Sequence, residues 1–213
     1  MLRELAFIGD GERGALLGPS GAVEWMCFPQ WHDPSLFSTL IGGDGWYQIR
    51  PTGRYVWGGC YDEGTLIWRD RWVTDDGAVI DCREALALPA TRRTAVLLRR
   101  LEAVAGECRL QLTLDPRPDY GASSVRSWHR HGGGVFEGTA QGVHLRVSGA
   151  DGASERADGH GGRMLTSDVA LRPGDRRDLV LEIGTGAFDG PPVDPDRAWQ
   201  QTTAEWHRRA PKL

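Results

Sequence analysis

Apolar and polar residues alternate with a period of two along most of this chain. The clearest case is "CRLQLTLD", where Leu110, Leu112 and Leu114 share one face and Arg109, Gln111 and Thr113 the other. Val143, Leu145 and Val147 repeat it, as do Leu179, Leu181 and Ile183. This is the pattern of antiparallel strands with one solvated face. "GWYQIRP" (45–51) alternates modestly and ends at a proline. Residues 55–86 read as strand, turn, strand, Asp76-Gly77 hairpin, strand. Within them Leu66 and Trp68 fall on one face with Trp72, while Ile67, Arg69, Arg71 and Val73 point the other way. "TAVLLRRLEAV" (94–104) fits either a helix or a strand buried on both faces. Glycine-rich turns at 132–134, 149–152, 158–162 and 172–175 separate these runs. Short strands with turns between them predict an all-β fold, a large antiparallel β-sandwich over residues 1–190.

The tail departs from this period. In "PPVDPDRAWQQTTAEWHRRAPKL", Asp194 is a natural N-cap, Pro195 suits the first helical position, and Trp199 and Trp206 lie seven apart on one face. A short amphipathic helix is predicted within 191–213, ending at Pro211, with both tryptophans as its anchors.

Gly9, Gly11 and Gly14 spell G-x-G-x-x-G after an apolar run, the signature of a phosphate-cradling loop. A dinucleotide site needs a long helix after the third glycine. Here 15–17 runs into "GPSG", so the segment reads as strand (15–17), turn (18–21), strand (22–27). The glycines then serve a positive φ or a close backbone approach.

The formal net charge of −4 and the pI near 5.9 argue against a nucleic-acid partner. Arg92-Arg93 and Arg99-Arg100 read as solvated strand faces. The four cysteines (Cys27, Cys60, Cys82, Cys108) form no C-x-x-C pair, and three sit in surroundings that suit small buried thiols. No signal peptide or bilayer-spanning run is visible, so no membrane partner is expected and the cytoplasm is the default location. Glycine, at 29 of 213 residues, is about twice as frequent as usual. Nine tryptophans suit a thick core or a sugar-facing surface, core packing accounting for most. No nucleophile motif stands out. His129 and His131 could put two imidazoles on one side of a strand, but no third metal ligand is evident. Acid pairs such as Asp62-Glu63, Asp75-Asp76 and Asp81 with Glu84 read as turn and surface charges. No catalytic residue, metal site or cofactor is predicted.

"LAFIGDGERGALLGPSGAVEWMCFPQWHDPSLFSTLIGGDGWYQIRP" resembles the amino-terminal segment of glycoside hydrolase family 15 proteins, the bacterial glucoamylases and trehalases. The match runs through Ile8, Gly9, Asp10, Ala15, Leu16, Gly21, Val23, Trp25, Cys27, Pro29, Trp31 and Phe37. "GRYVWGGCYDEGTLIWRDRW" and "REALALP" continue it, and weaker similarity reaches the terminal helix. The resemblance implies a trehalase-like amino-terminal β-sandwich, with 191–213 as the linker helix toward an α/α barrel. In such relatives the barrel carries the paired glutamates of an inverting glycosidase. This chain ends at the linker, so both catalytic carboxyl groups are expected to lie outside it, and the barrel, on the same or a separate chain, is the expected partner.

Relatives read P-R-(F/W)-D-S where this chain has Pro29-Gln30-Trp31-His32-Asp33. If the loop reaches the barrel's mouth, Trp31, His32, Asp33 and Phe37 are the candidates for a substrate cleft binding an α-glucoside, or for the domain interface. Two other readings compete. A free-standing carbohydrate-binding sandwich would line up tryptophans on one solvent face. An enzyme of the sandwich itself would bring His129, His131 or His144 to an acid in a concave sheet.

Overall fold

A computed structural model describes residues 4–209, in which two eight-stranded sheets, antiparallel at every pairing, lie face to face. The first sheet contains β1 (Ala6–Gly9), β2 (Gly14–Leu17), β3 (Ala22–Cys27), β4 (Ser35–Phe37), β5 (Trp46–Pro51), β10 (Cys108–Asp115), β14 (Ser154–Ala157) and β15 (Arg163–Leu171). Its order is β1-β2-β3-β5-β10-β15-β14, with β4 also on β3. The second contains β6 (Tyr55–Tyr61), β7 (Trp68–Thr74), β8 (Val79–Leu86), β9 (Thr94–Ala105), β11 (Trp128–His131), β12 (Val135–Ala140), β13 (Val143–Ser148) and β16 (Arg176–Gly184), ordered β11-β12-β13-β16-β9-β8-β7-β6.

The alternating leucines point into the space between the sheets. Leu110, Leu112 and Leu114 meet Leu97, Leu101, Leu179, Leu181 and Ile183 in one continuous core. Each such side chain, removed from water, stabilises the fold by roughly 1.5–3 kcal/mol. The Asp76-Gly77 turn joins β7 to β8, with Gly77 at φ 87°.

Helix α1 (Pro195–Arg209) lies on the outer face of the second sheet. Asp194 Oδ1 accepts the Arg197 N–H at 2.7 Å, capping the helix. A second apolar cluster forms beneath it from Ile67, Ala85, Leu98, Val180, Ala198 and Trp199. This covering settles 94–104 as a strand. Leu97, Leu101 and Ala103 of β9 face the sandwich core, while Val96 and Leu98 face the helix, so both sides are apolar. The predicted stop at Pro211 lies outside the described residues.

Burial corrects two charge readings. Arg99 is completely buried between the sheets and Arg100 is 8% exposed beneath the helix, so neither lies on a solvated face. Glu84 is likewise buried, directly opposite Arg99 on the neighbouring strand. Of the cysteines, Cys27, Cys82 and Cys108 are buried and Cys60 is exposed. Tryptophan is less of a core residue here than expected. Only Trp72, Trp128 and Trp199 of the nine are buried.

Candidate functional site

The glycine motif is the β1–β2 hairpin. Gly9 pairs with Gly14, and Asp10 Oδ1 closes the turn by accepting the N–H groups of Glu12 (2.8 Å) and Arg13 (2.9 Å). Gly14 is glycine because of what lies over it. A Cβ there would sit 2.3 Å from the Phe7 ring and 2.5 Å from that of Trp31. Those two rings stack at 5.6 Å and 20°. Gly9 and Gly14 therefore make a floor for aromatic side chains, and Gly11, at φ 94°, serves the turn between them.

Arg13 ties this hairpin to its neighbours. Fully buried, it lies 3.4 Å from Asp10 Oδ2, donates to the Thr91 carbonyl and sits over the Phe28 ring. Burial pushes the Asp10 carboxyl up, against the backbone N–H of Arg13, the Arg13 charge and the backbone N–H of Glu12, which hold it down. Glu12 extends the link, accepting the Gln30 amide at 3.3 Å with Arg92 Nε 3.6 Å away. The turn 10–13, the loop 28–37 and the segment 88–93 thus form one corner of the sandwich. Helix α1 is joined to it where Leu88 N–H donates to Thr202 Oγ1 at 3.0 Å.

Within the loop, Trp31 is 52% exposed and His32 is exposed. Asp33 is half-buried, and its Oδ2 accepts the Gln30 N–H at 2.9 Å, so this carboxylate shapes the turn. Phe37 is wholly buried in the sandwich core and supports the loop from beneath. Among the cleft candidates, then, Trp31 and His32 present themselves to solvent, whereas Phe37 does not.

Trp31 heads an aromatic stripe. Phe7, Leu16 and Trp25 are register neighbours across β1, β2 and β3, each half-buried and facing away from the core. Trp31 caps one end on Phe7, and Tyr120, 50% exposed, meets Trp25 at 6.2 Å at the other. Sequence reasoning found Trp31 but missed this row, because outward positions on three separate strands become neighbours only through pairing.

Trp199 and Trp206 both face the sandwich. Trp199 is 3% exposed, with its ring against the guanidinium groups of the register partners Arg83 (4.9 Å) and Arg100 (5.6 Å) and its Nε1 donating to Asp178 at 3.2 Å. Arg100 also reaches Asp178 at 2.7 Å and Asp196 at 2.6 Å. Trp206 is half-buried against the same apolar cluster.

The histidines do not make a concave acid–base site. His129 and His131 meet edge to face at 4.7 Å, and His131 reaches Glu137 at 3.2 Å, both on the exposed β11–β12 hairpin. His144 Nδ1 lies 3.5 Å from Thr139 Oγ1. Among the described residues no group of three His, Cys, Asp or Glu side chains is placed to hold a metal ion.

One carboxylate pair is strongly perturbed. Asp70 and Glu84 are 1% and 0% exposed between the sheets, with Glu84 2.8 Å from Arg99 and Arg99 over the Tyr47 ring at 4.3 Å. Burial, then the charge of Glu84, pushes the Asp70 carboxyl up to about 8, and burial raises Glu84 against the pull of Arg99. Such a pair would attract attention in a cleft. Here it is sealed from any glucoside, and it is a structural polar core.

Two curated relatives resemble the chain. One is a trehalase of Mycolicibacterium smegmatis (strain ATCC 700084 / mc(2)155), 28% identical over 189 residues, covering 80% of this chain and 26% of the relative. The other is a trehalase of Mycobacterium tuberculosis (strain ATCC 25618 / H37Rv), 30% identical over 138 residues, covering 56% of this chain and 20% of the relative. The chain thus spans about a quarter or less of the length of these relatives. No helix among the described residues is long and apolar enough to cross a membrane. The family model described as "Trehalase-like, N-terminal" matches residues 2–207, nearly the whole sequence, and the chain therefore belongs to the trehalase-like N-terminal family.

Proposed function

We propose that this chain is the non-catalytic amino-terminal sandwich of a glycoside hydrolase family 15 protein, supporting an α/α barrel that hydrolyses α-glucosidic bonds with inversion. The observation that carries the reading is the aromatic stripe from Trp31 to Tyr120, joined at Trp31 to the corner where the loop 28–37 meets the hairpin 10–13. An apolar row of this kind on an outer sheet face is what a covered surface looks like when its cover is absent. Family membership and the short span of the trehalases that the chain matches support it. So does the placement of Asp70 and Glu84, the most perturbed carboxyl pair, out of reach of substrate. The four free thiols, Cys60 among them exposed, fit a reducing compartment, the cytoplasm.

In this arrangement the barrel supplies both carboxylic groups, one protonating the leaving oxygen and one activating water. The sandwich supplies position. The buried Asp10–Arg13 pair fixes the corner, and Trp31 and His32 project from it toward the barrel's mouth. Purified chain incubated with trehalose or maltose should release no glucose above buffer, and steady turnover would overturn the reading. A chimera in which it replaces the matching segment of the M. smegmatis trehalase should hydrolyse trehalose, with the first-formed glucose anomer reporting inversion.

The same stripe favours a second reading, a free-standing sandwich that holds sugars on exposed aromatic faces. Calorimetry with an α-glucan separates the two. Saturable heat that disappears in Trp31→Ala would assign the stripe to carbohydrate.

A further inference from the structure

We propose that a small pocket beside the loop 28–37 binds one neutral polyhydroxylated ring. The proposal extends the α-glucoside reading above and rests on it for the choice of ligand. The pocket holds about 230 Å3, opens where the loop meets residues 118–119, the β12–β13 turn and Thr185, and has Phe28, Pro34, Leu36 and Pro118 as apolar walls. This is below the usual range for drug-sized ligands, about 300 Å3 and upward, and it suits one ring rather than two.

Its polar groups are few and specific. Ser35 lines the pocket, is completely buried, and its hydroxyl has no hydrogen-bond partner among the described residues. A buried hydroxyl left unpaired is costly, and a ligand hydroxyl would satisfy it. Gln141 gives its amide oxygen to Ser123 Oγ at 2.6 Å, which leaves the amide N–H groups free to donate. Asp119 is the only ionisable lining residue among the described residues, so the pocket can accept hydroxyl protons and disfavours anions. Asp119 (φ 59°) and Gln141 (φ 47°) are two of the three non-glycine residues with left-handed backbone among those described. Both are held there at a steric cost that the surrounding loops must overcome. Apolar walls for C–H faces, one buried hydroxyl, one amide donor and one carboxylate make the recognition set of a sugar or cyclitol ring.

The test is an amide chemical-shift titration of the folded chain with D-glucose, and separately with glycerol and glucose 6-phosphate. Glucose should bind saturably at millimolar concentration, with shifts centred on Ser35, Asp119, Gln141 and Gly142; glycerol and the phosphorylated sugar should bind more weakly. Ser35→Ala should weaken glucose binding about tenfold while leaving the melting temperature unchanged or raised, because the deleted hydroxyl had no partner. A merely structural serine would not separate those two effects. Thr185→Trp, at the exposed rim, should block the pocket in a folded protein. The proposal is overturned by an absence of saturable shifts, by shifts centred on Trp25 and Trp31, by glucose 6-phosphate binding more tightly than glucose, or by affinity indifferent to both variants. An active chimera beside an unresponsive pocket would remove this proposal alone. An inactive chimera beside a responsive pocket would remove the hydrolase reading alone.

Discussion

Asp70 carries a proton into the sandwich. Its carboxyl is raised from 3.8 to about 8, first by burial and then by the neighbouring charge of Glu84. As pH climbs through that interval the unfolded chain releases a proton that the folded chain keeps. The contribution to stability is therefore full below about pH 4 and gone above about pH 8. Melting temperature should fall between these limits. Asp70→Asn, which keeps a neutral donor in place, should flatten the fall, and an unchanged pH profile would show that other groups set it. None of this was legible in the sequence. Asp70, Glu84 and Arg99 sit at strand positions where charge reads as solvent-facing, and only the meeting of two sheets turns them inward. Trp31, by contrast, could be singled out by resemblance. Gly14 reads in the sequence as a glycine needed for a turn or a close approach, yet the rings that require it belong to Phe7 and Trp31, one of them 17 positions away along the chain.

At the scale of elements, α1 was the most readable part and β9 the least. Asp194 and Pro195 announce a helix start through local chemistry alone, and the cap forms as the residue types require. Residues 94–104 could not be assigned by period, because both faces of β9 are apolar; the deciding fact is that α1 covers one of them. The helix is in turn held by a cluster separate from the main core. Trp199→Ala should cost about 3–5 kcal/mol, as for other buried aromatic truncations. Urea unfolding would measure the loss. Hydrogen exchange should show the amides of α1 opening while β10 and β15, in the other sheet, keep their protection. Loss of protection throughout both sheets would mean that helix and sandwich fold as one unit. A further hold lies just before the helix. Arg146, 5% exposed, pairs with Glu182 at 2.8 Å and donates to the Gly190 and Pro191 carbonyls at 2.7 and 3.2 Å, pinning the approach to α1 against the sheet.

Over the whole molecule, the all-β class followed from alternation and turn spacing, but the strand order did not. β16 enters between β13 and β9, and β5 between β3 and β10, through pairings between strands far apart in sequence. The stripe needs no such crossing: Phe7, Leu16 and Trp25 are aligned by the consecutive pairings of β1, β2 and β3, and loop residues Trp31 and Tyr120 close its ends. Whether the stripe is ordinary surface or a covered face is a question of context, and context can be varied. Trp31 and Tyr120 are about half exposed in the chain alone, so replacing both by serine removes only the half of each ring that packs on Phe7 and Trp25. At about 25 cal/mol per Å2 of apolar surface, that loss is on the order of 3 kcal/mol. In the chimera with the rest of a trehalase, the exposed half of the same two side chains would be packed against a partner surface, and their removal would cost roughly 2 kcal/mol beyond that, as at the well-packed centre of an interface. The double variant should therefore lower the unfolding midpoint of the chimera more than that of the isolated chain, and lower the chimera's trehalose hydrolysis as well. Equal changes in the two settings would take the stripe out of the interface and leave it to carbohydrate or to solvent.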